Sequence, residues 1–105
     1  MTEQMARKDP YDAVPKLREL RDEVLFGDIW EREELSKRDR SLITVAVLVA
    51  ARSTVELEGH IGRALDNGVT KSEISELITH VALYAGWPAG VNGGRVATAA
   101  FERHA

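Results

Sequence analysis

Arg52-Ser53-Thr54-Val55-Glu56-Leu57-Glu58-Gly59-His60 opens the stretch that decides the fold. Ala64-Leu65-Asp66-Asn67-Gly68-Val69-Thr70, Glu73-Ile74-Ser75-Glu76 and Tyr84-Ala85-Gly86-Trp87-Pro88 complete it. Ser53 and Glu56 have the spacing of a capping box, and Thr70 and Glu73 repeat it. After the first box, Leu57, Ile61, Ala64 and Leu65 recur at helical spacing as one buried stripe. After the second, Ile74, Leu77, Ile78, Val81 and Ala85 do the same. Asn67-Gly68 ends the first of these helices, because glycine takes positive φ without a steric penalty. Gly86 ends the second, and Pro88 suits the first turn of a last helix running to about Arg103. That last helix carries Gly90, Gly93, Gly94, Ala97 and Ala100. Each interior glycine costs about 1 kcal/mol relative to alanine. Such a run implies a partner packed very close, either another helix or another subunit. The alternative is a helix that begins only after Gly94.

Upstream, Ser36-Lys37-Arg38-Asp39 resembles a capping box with Asp in place of Glu. The segment after it, with Leu42, Ile43, Val45, Val47, Leu48 and Val49, is apolar on every side. Its β-branched residues favour a strand, whereas its cap and its length from Asp39 to Arg52 favour a helix. A helix apolar all round is expected at the centre of the bundle. Earlier still, Asp9-Pro10 suits a helix start. Ala13, Leu17, Leu20 and Val24 then form an apolar stripe, and Gly27 is a stop. Asp28 to Glu34 reads as a loop in which Trp30 covers a core edge. Residues 1–9 are expected to be disordered, and 10–105 to form a single helical domain.

Composition narrows the function. A chain of 105 residues with net charge −3 suggests one domain, and no basic block of the nucleic-acid-binding kind appears. There is no cysteine, which excludes thiolate nucleophiles, Cys-x-x-Cys redox chemistry and thiolate metal sites. The longest uncharged apolar run, Leu42 to Ala51, is short of the roughly 20 residues that cross a bilayer. A soluble cytoplasmic protein with neither nucleic acid nor membrane as partner is expected. A core this small leaves a chain marginal alone, so oligomerisation is expected to help. The three histidines lack the close helical pairing of a zinc motif, so no metal site is expected.

Taken in order, Leu35-Ser36-Lys37-Arg38-Asp39-Arg40, the apolar segment, His60, Ala64 to Thr70, Glu73-Ile74, Glu76 and Tyr84 to Pro88 resemble the carboxymuconolactone decarboxylase family. The resemblance spans Leu35 to Phe101, nearly two thirds of the chain. It implies an all-α fold of about five helices, alkylhydroperoxidase D-like, assembled as a trimer or hexamer. It also implies decarboxylation of 4-carboxymuconolactone in the β-ketoadipate route of aromatic breakdown. The thiol-bearing relatives carry a Cys-x-x-Cys pair and then a histidine. Ser53, Glu56 and His60 stand at those three positions, so the resemblance implies a shared scaffold without the thiol chemistry. Two further departures are Ser41, where those relatives carry a central-helix Glu, and an N-terminal portion shorter than that of the decarboxylase.

Within this frame His60 is the candidate proton carrier, since imidazole titrates near neutrality. By spacing alone it is equally a core-edge histidine satisfied by a backbone carbonyl. Glu56, one turn earlier on the same face, is placed to orient or charge it, or else only to cap Ser53. Arg52 is the candidate anchor for substrate carboxylates, because guanidinium offers a bidentate fork. Arg40 reads as a salt-bridged helix end. His80 and Tyr84, four apart with Glu76 four before His80, are candidates for the opposite wall, with Tyr84 donating to a carbonyl oxygen. Interface packing is the competing reading for His80. Trp87 is a candidate pocket wall or subunit contact, and His104 is expected in solvent. The expected activity is a cofactor-free decarboxylase or lyase on a small carboxylated lactone. The alternative is a helical oligomer that binds a small ligand or partner without catalysis.

Overall fold

The computed structural model describes residues 9–105. The disorder expected for residues 1–9 falls, up to residue 8, outside that range. The described residues contain five α-helices and no strand, the all-α architecture expected. They fall into two compact units, one up to Glu34 and one from Leu35 to Ala105.

In the first unit, helix α1 (Pro15–Leu20) runs into a π-helical segment, Arg21–Leu25, and a 3-10 turn covers Ile29–Glu31. The helix starts at Pro15 and not after Pro10. Asp9 uses its carboxylate to accept the Tyr11 N–H at 2.8 Å, closing a local turn in place of a helix cap. Arg18 bridges Asp9 and Asp12 at 3.0 and 2.7 Å, and Arg21 lies over the Tyr11 ring. Gly27 is required where it stands, because a Cβ there would lie 2.7 Å from the Asp22 and Glu23 carbonyl oxygens. The stripe of Leu17, Leu20 and Val24 is exposed, whereas Trp30 is buried with its ring against Phe26.

The second unit packs α2 (Lys37–Ala50), α3 (Thr54–Asp66), α4 (Lys71–Ala85) and α5 (Trp87–Arg103) around one core. Val45 and Val49 of α2, Leu57 and Ile61 of α3, and Ile74 and Ile78 of α4 form its centre. Each such side chain contributes about 1.5–3 kcal/mol by leaving water. Two sequence expectations are corrected here. Helix α2 is not buried on all sides: Ser41, Val45 and Val49 face the core, while Ile43 and Val47 are 50% and 58% exposed. Ser36 caps α2 by accepting the Asp39 N–H at 3.0 Å. Ser53, in contrast, makes no side-chain cap at all.

The reason lies one residue earlier. Arg52 has φ 58°, the one non-glycine positive φ among the described residues. Its N–H donates to the Val49 carbonyl at 3.1 Å and that of Ser53 to the Leu48 carbonyl at 3.0 Å, a Schellman closure. That closure takes the Ser53 N–H, which in a capping box would donate to the Glu56 carboxylate. Gly68 closes α3 by the same pair of bonds, to Leu65 at 3.1 Å and from Val69 to Ala64 at 2.9 Å. Here the capping box that follows is complete, with Thr70 and Glu73 exchanging bonds of 3.0 and 2.9 Å.

Helix α5 starts at Trp87, so its glycines are interior. A Cβ on Gly90 would stand 2.4 Å from the Ala82 Cβ, and one on Gly93 would stand 3.1 Å from Val49. Both admit a neighbouring helix. Gly94 faces open space. No helix among the described residues is long and apolar enough to cross a membrane.

Candidate functional site

Helix α3 carries the titratable residues of most interest because its outer face is polar while Leu57, Ile61 and Ala64 turn inward. His60 lies at the boundary and is half-buried. Among the described residues its buried Nδ1 has no hydrogen-bond partner, so none of their backbone carbonyls satisfies that nitrogen. The rest of the ring opens on a surface hollow of about 300 Å³, shared with Val55, Glu56, Gly59 and Arg63. Burial lowers the imidazole pKa first, and the Arg63 charge lowers it further, while Glu56 pulls the other way. The ring is therefore held toward its neutral form. Glu56 is exposed and, with no Ser53 cap to serve, is available to the hollow.

The other sequence candidates lie elsewhere. Arg52 is exposed at the left-handed turn, and its Nη2 lies 3.7 Å from where a Cβ on Gly86 would stand. Among the described residues its guanidinium has no hydrogen bond or ion pair. His80 lines a groove of about 460 Å³ between α2 and α4, with Glu76, Leu77 and Val81. Tyr84 stacks on His80 at 4.7 Å and is 83% exposed. Trp87 is 67% exposed and lines an apolar hollow of about 200 Å³ between α4 and α5. The chain thus brings His60 and Glu56 together in one hollow, places the Arg52 guanidinium at Gly86, next in sequence to Trp87, and holds the His80–Tyr84 pair on α4.

Ser41 is buried in α2 and accepts a 3.0 Å hydrogen bond from the Asn67 side chain, tying α2 to the turn after α3. The residue at this position serves the scaffold. His104, expected in solvent, keeps an exposed ring but rests on α3: its Nε2 lies 2.9 Å from a Cβ position on Gly62. Arg103 beside it is paired to Glu58. Arg63 and Gly59 carry no sequence motif, and the signal that marks them is spacing, three after and one before His60. No cluster of three or more potential metal ligands occurs among the described residues.

With this geometry established, comparison with known proteins adds a second line of evidence. The profile of the carboxymuconolactone decarboxylase family matches residues 15–99. The chain is 48% identical over 64 residues to the 4-carboxymuconolactone decarboxylase of Acinetobacter baylyi, covering 61% of this chain and 48% of that protein. It is 39% identical over 70 residues to the nitrosuccinic acid decarboxylase of Metarhizium robertsii, covering 67% and 49% respectively. An uncharacterised 15.0 kDa protein from the nqo9–nqo10 intergenic region of Paracoccus denitrificans is 33% identical over 69 residues, covering 64% and 52%. The matched segments span about half the length of these relatives.

Proposed function

The chain belongs to the carboxymuconolactone decarboxylase family, and we propose that it is a cofactor-free decarboxylase of a small polycarboxylate, such as 4-carboxymuconolactone, with His60 as its proton carrier. The observation that carries this reading is the His60 ring itself. One nitrogen is buried without a partner while the ring borders an open hollow, a poise that serves proton transfer better than packing. Both decarboxylase relatives support the reaction class. 4-Carboxymuconolactone and nitrosuccinic acid share a chemical property: each has a built-in electron sink, the unsaturated lactone carbonyl in one and the nitro group in the other.

The steps follow from that property. The bond from carbon to the departing carboxylate breaks, CO₂ leaves, and the electron pair passes into the sink, as an extended enolate for the lactone and as a nitronate for the nitro acid. A proton is then delivered to carbon. His60 begins neutral, because burial and Arg63 both oppose its charge. A bound polyanion favours the imidazolium, and Glu56 adds to that, so substrate loads the proton donor on arrival. Arg52 anchors a substrate carboxylate with a guanidinium that is unpaired among the described residues, and Tyr84 or a backbone amide stabilises the enolate oxygen. His80 and Trp87 line the pocket.

In one protomer these groups stand apart, on or beside exposed apolar grooves. A homo-oligomer, trimer or hexamer, is accordingly part of the proposal, with neighbouring copies bringing His80, Tyr84 and Trp87 toward His60. The cytoplasm is its proposed location. The test is CO₂ release from 4-carboxymuconolactone. His60→Ala should abolish it with helical circular dichroism unchanged, and undiminished release would refute the assignment. Thermal-shift binding of the lactone by wild-type protein without CO₂ release would instead identify a ligand-binding oligomer.

A further inference from the structure

Helix α3 offers a second feature on the face that carries His60. The hollow beside the imidazole adjoins another of about 420 Å³ toward the end of α5, and the two share Gly59 and Arg63. Together they form one trough along the helix. Its floor is bare at Gly59, where a Cβ would meet nothing within 4 Å. That absence calls for an explanation, since a mid-helix glycine costs about 1 kcal/mol relative to alanine. Gly62, Gly90 and Gly93 have one, because His104, Ala82 and Val49 respectively occupy the space that a side chain would take, and Gly94 of α5, which faces open space as Gly59 does, lines neither hollow. Gly59 has no such neighbour, and what its missing side chain provides is room over the backbone, one residue from His60.

Arg63 stands where the two hollows meet, one turn from both Gly59 and His60, at about 5–6 Å between neighbouring Cβ positions. Within the second hollow the Glu58 charge is matched by Arg103. The remaining carboxylates, Glu56 and Asp66, lie toward opposite ends of the trough. Repulsion at both ends and attraction at the middle confine an anion to the span over Gly59.

We propose that Arg63 holds a carboxylate of the substrate over the bare backbone of Gly59, beside the His60 imidazole. This rests on the reading of His60 as the proton carrier, and it assigns that reaction a second anchoring point besides Arg52. The arrangement suits a substrate with at least two carboxylates, one held at each guanidinium. Arg63 also acts on the proton carrier directly: after burial, its charge lowers the imidazole pKa, and Glu56 opposes that.

Steady-state kinetics of CO₂ release from 4-carboxymuconolactone test the proposal. Arg63→Gln should raise KM by about 10- to 100-fold, the loss expected for a hydrogen bond to a charged group, and by more than it lowers kcat. Arg63→Lys should restore part of that loss, which a purely structural role would not require. Gly59→Ala should raise Tm through helix propensity and yet raise KM, separating stability from binding. An unchanged KM in both Arg63→Gln and Gly59→Ala overturns the trough while leaving the decarboxylase reading intact. If wild-type protein releases no CO₂, amide NMR with propane-1,2,3-tricarboxylate tests the trough by itself. Saturable shifts at Gly59 and Arg63, lost in Arg63→Gln at equal ionic strength set with sodium chloride, support it. Their absence in wild-type protein overturns it.

Discussion

Two turns in this protein are built to the same plan and finished differently. The turn after α2 and the turn after α3 each close with the same pair of backbone bonds, and each needs a left-handed residue at the same point. After α3 that residue is Gly68, φ 96°, and a complete Thr70–Glu73 capping box follows. After α2 it is Arg52, φ 58°, and the Ser53 that follows caps nothing. The left-handed region costs a side-chain-bearing residue roughly 1–2 kcal/mol. One turn is therefore optimised for folding. The other tolerates strain and a missing cap at the residue proposed to grip the substrate, the pattern expected where stability is given up for a side chain's chemistry.

The largest test of this contrast is catalytic. Arg52→Gly should lower kcat/KM for 4-carboxymuconolactone about 100-fold, the equivalent of some 2.7 kcal/mol of charged hydrogen bonding. A variant with full activity would leave the strain without a functional account. The structural turn should respond in stability alone. Gly68→Ala forces alanine into the left-handed region with free space around it, so about 1 kcal/mol should be lost with kcat/KM unchanged, measured by denaturant unfolding and kinetics. The caps should divide likewise. Thr70→Ala should cost about 1 kcal/mol, whereas Ser53→Ala should fall within about 0.5 kcal/mol of zero. One effect of similar size reverses the usual sign: Arg52→Gly should stabilise the fold by about 0.5 kcal/mol as strain is relieved, the gain being trimmed by glycine's freer unfolded chain. Equal losses at both caps, or a destabilised Arg52→Gly, would show the turns to be equivalent after all.

Acid should also separate the regions. The carboxylate of Glu73 is held below its usual range by the Thr70 N–H and by Arg38. Its contribution is present above the ordinary carboxylate pKa and is lost as pH falls through its lowered value. His60 too is lowered, so the unfolded chain binds its proton first and stability falls as pH drops below about 6.5. NMR titration of the His60 ring should show a midpoint below that of a free imidazole. Arg63→Gln should move it up and Glu56→Gln should move it down.

Where glycines and short caps determine the backbone, the sequence was readable. Gly68, Gly86, the Thr70–Glu73 box and Pro88 all act through local geometry, and the ends of α3, α4 and α5 follow from them. Where one residue overrode another's propensity, it was not. Ser53 has the composition of a cap, but the left-handed Arg52 sets the approach to α3 and leaves the serine without a partner. Helix α2 was legible as a helix and not in its burial, since a run apolar on all sides has no period to show which side faces in. Its Ile43 and Val47 remain exposed. The proximity of Glu56 and His60 followed from i,i+4 spacing. That Arg52, His80, Tyr84 and Trp87 line none of the hollow beside His60 did not, because it depends on how four helices pack. Gly59 was invisible because the meaning of a missing side chain depends on what surrounds it.

The contact of Gly90 with Ala82 has a mechanical consequence. Helices α4 and α5 are joined through the single residue Gly86 and clamped one turn later, at a separation that no side chain larger than hydrogen would permit. They form a rigid bracket. Even a methyl group at position 90 would have to push the two arms apart, and the seat of Val49 against Gly93, one turn below, would move with them.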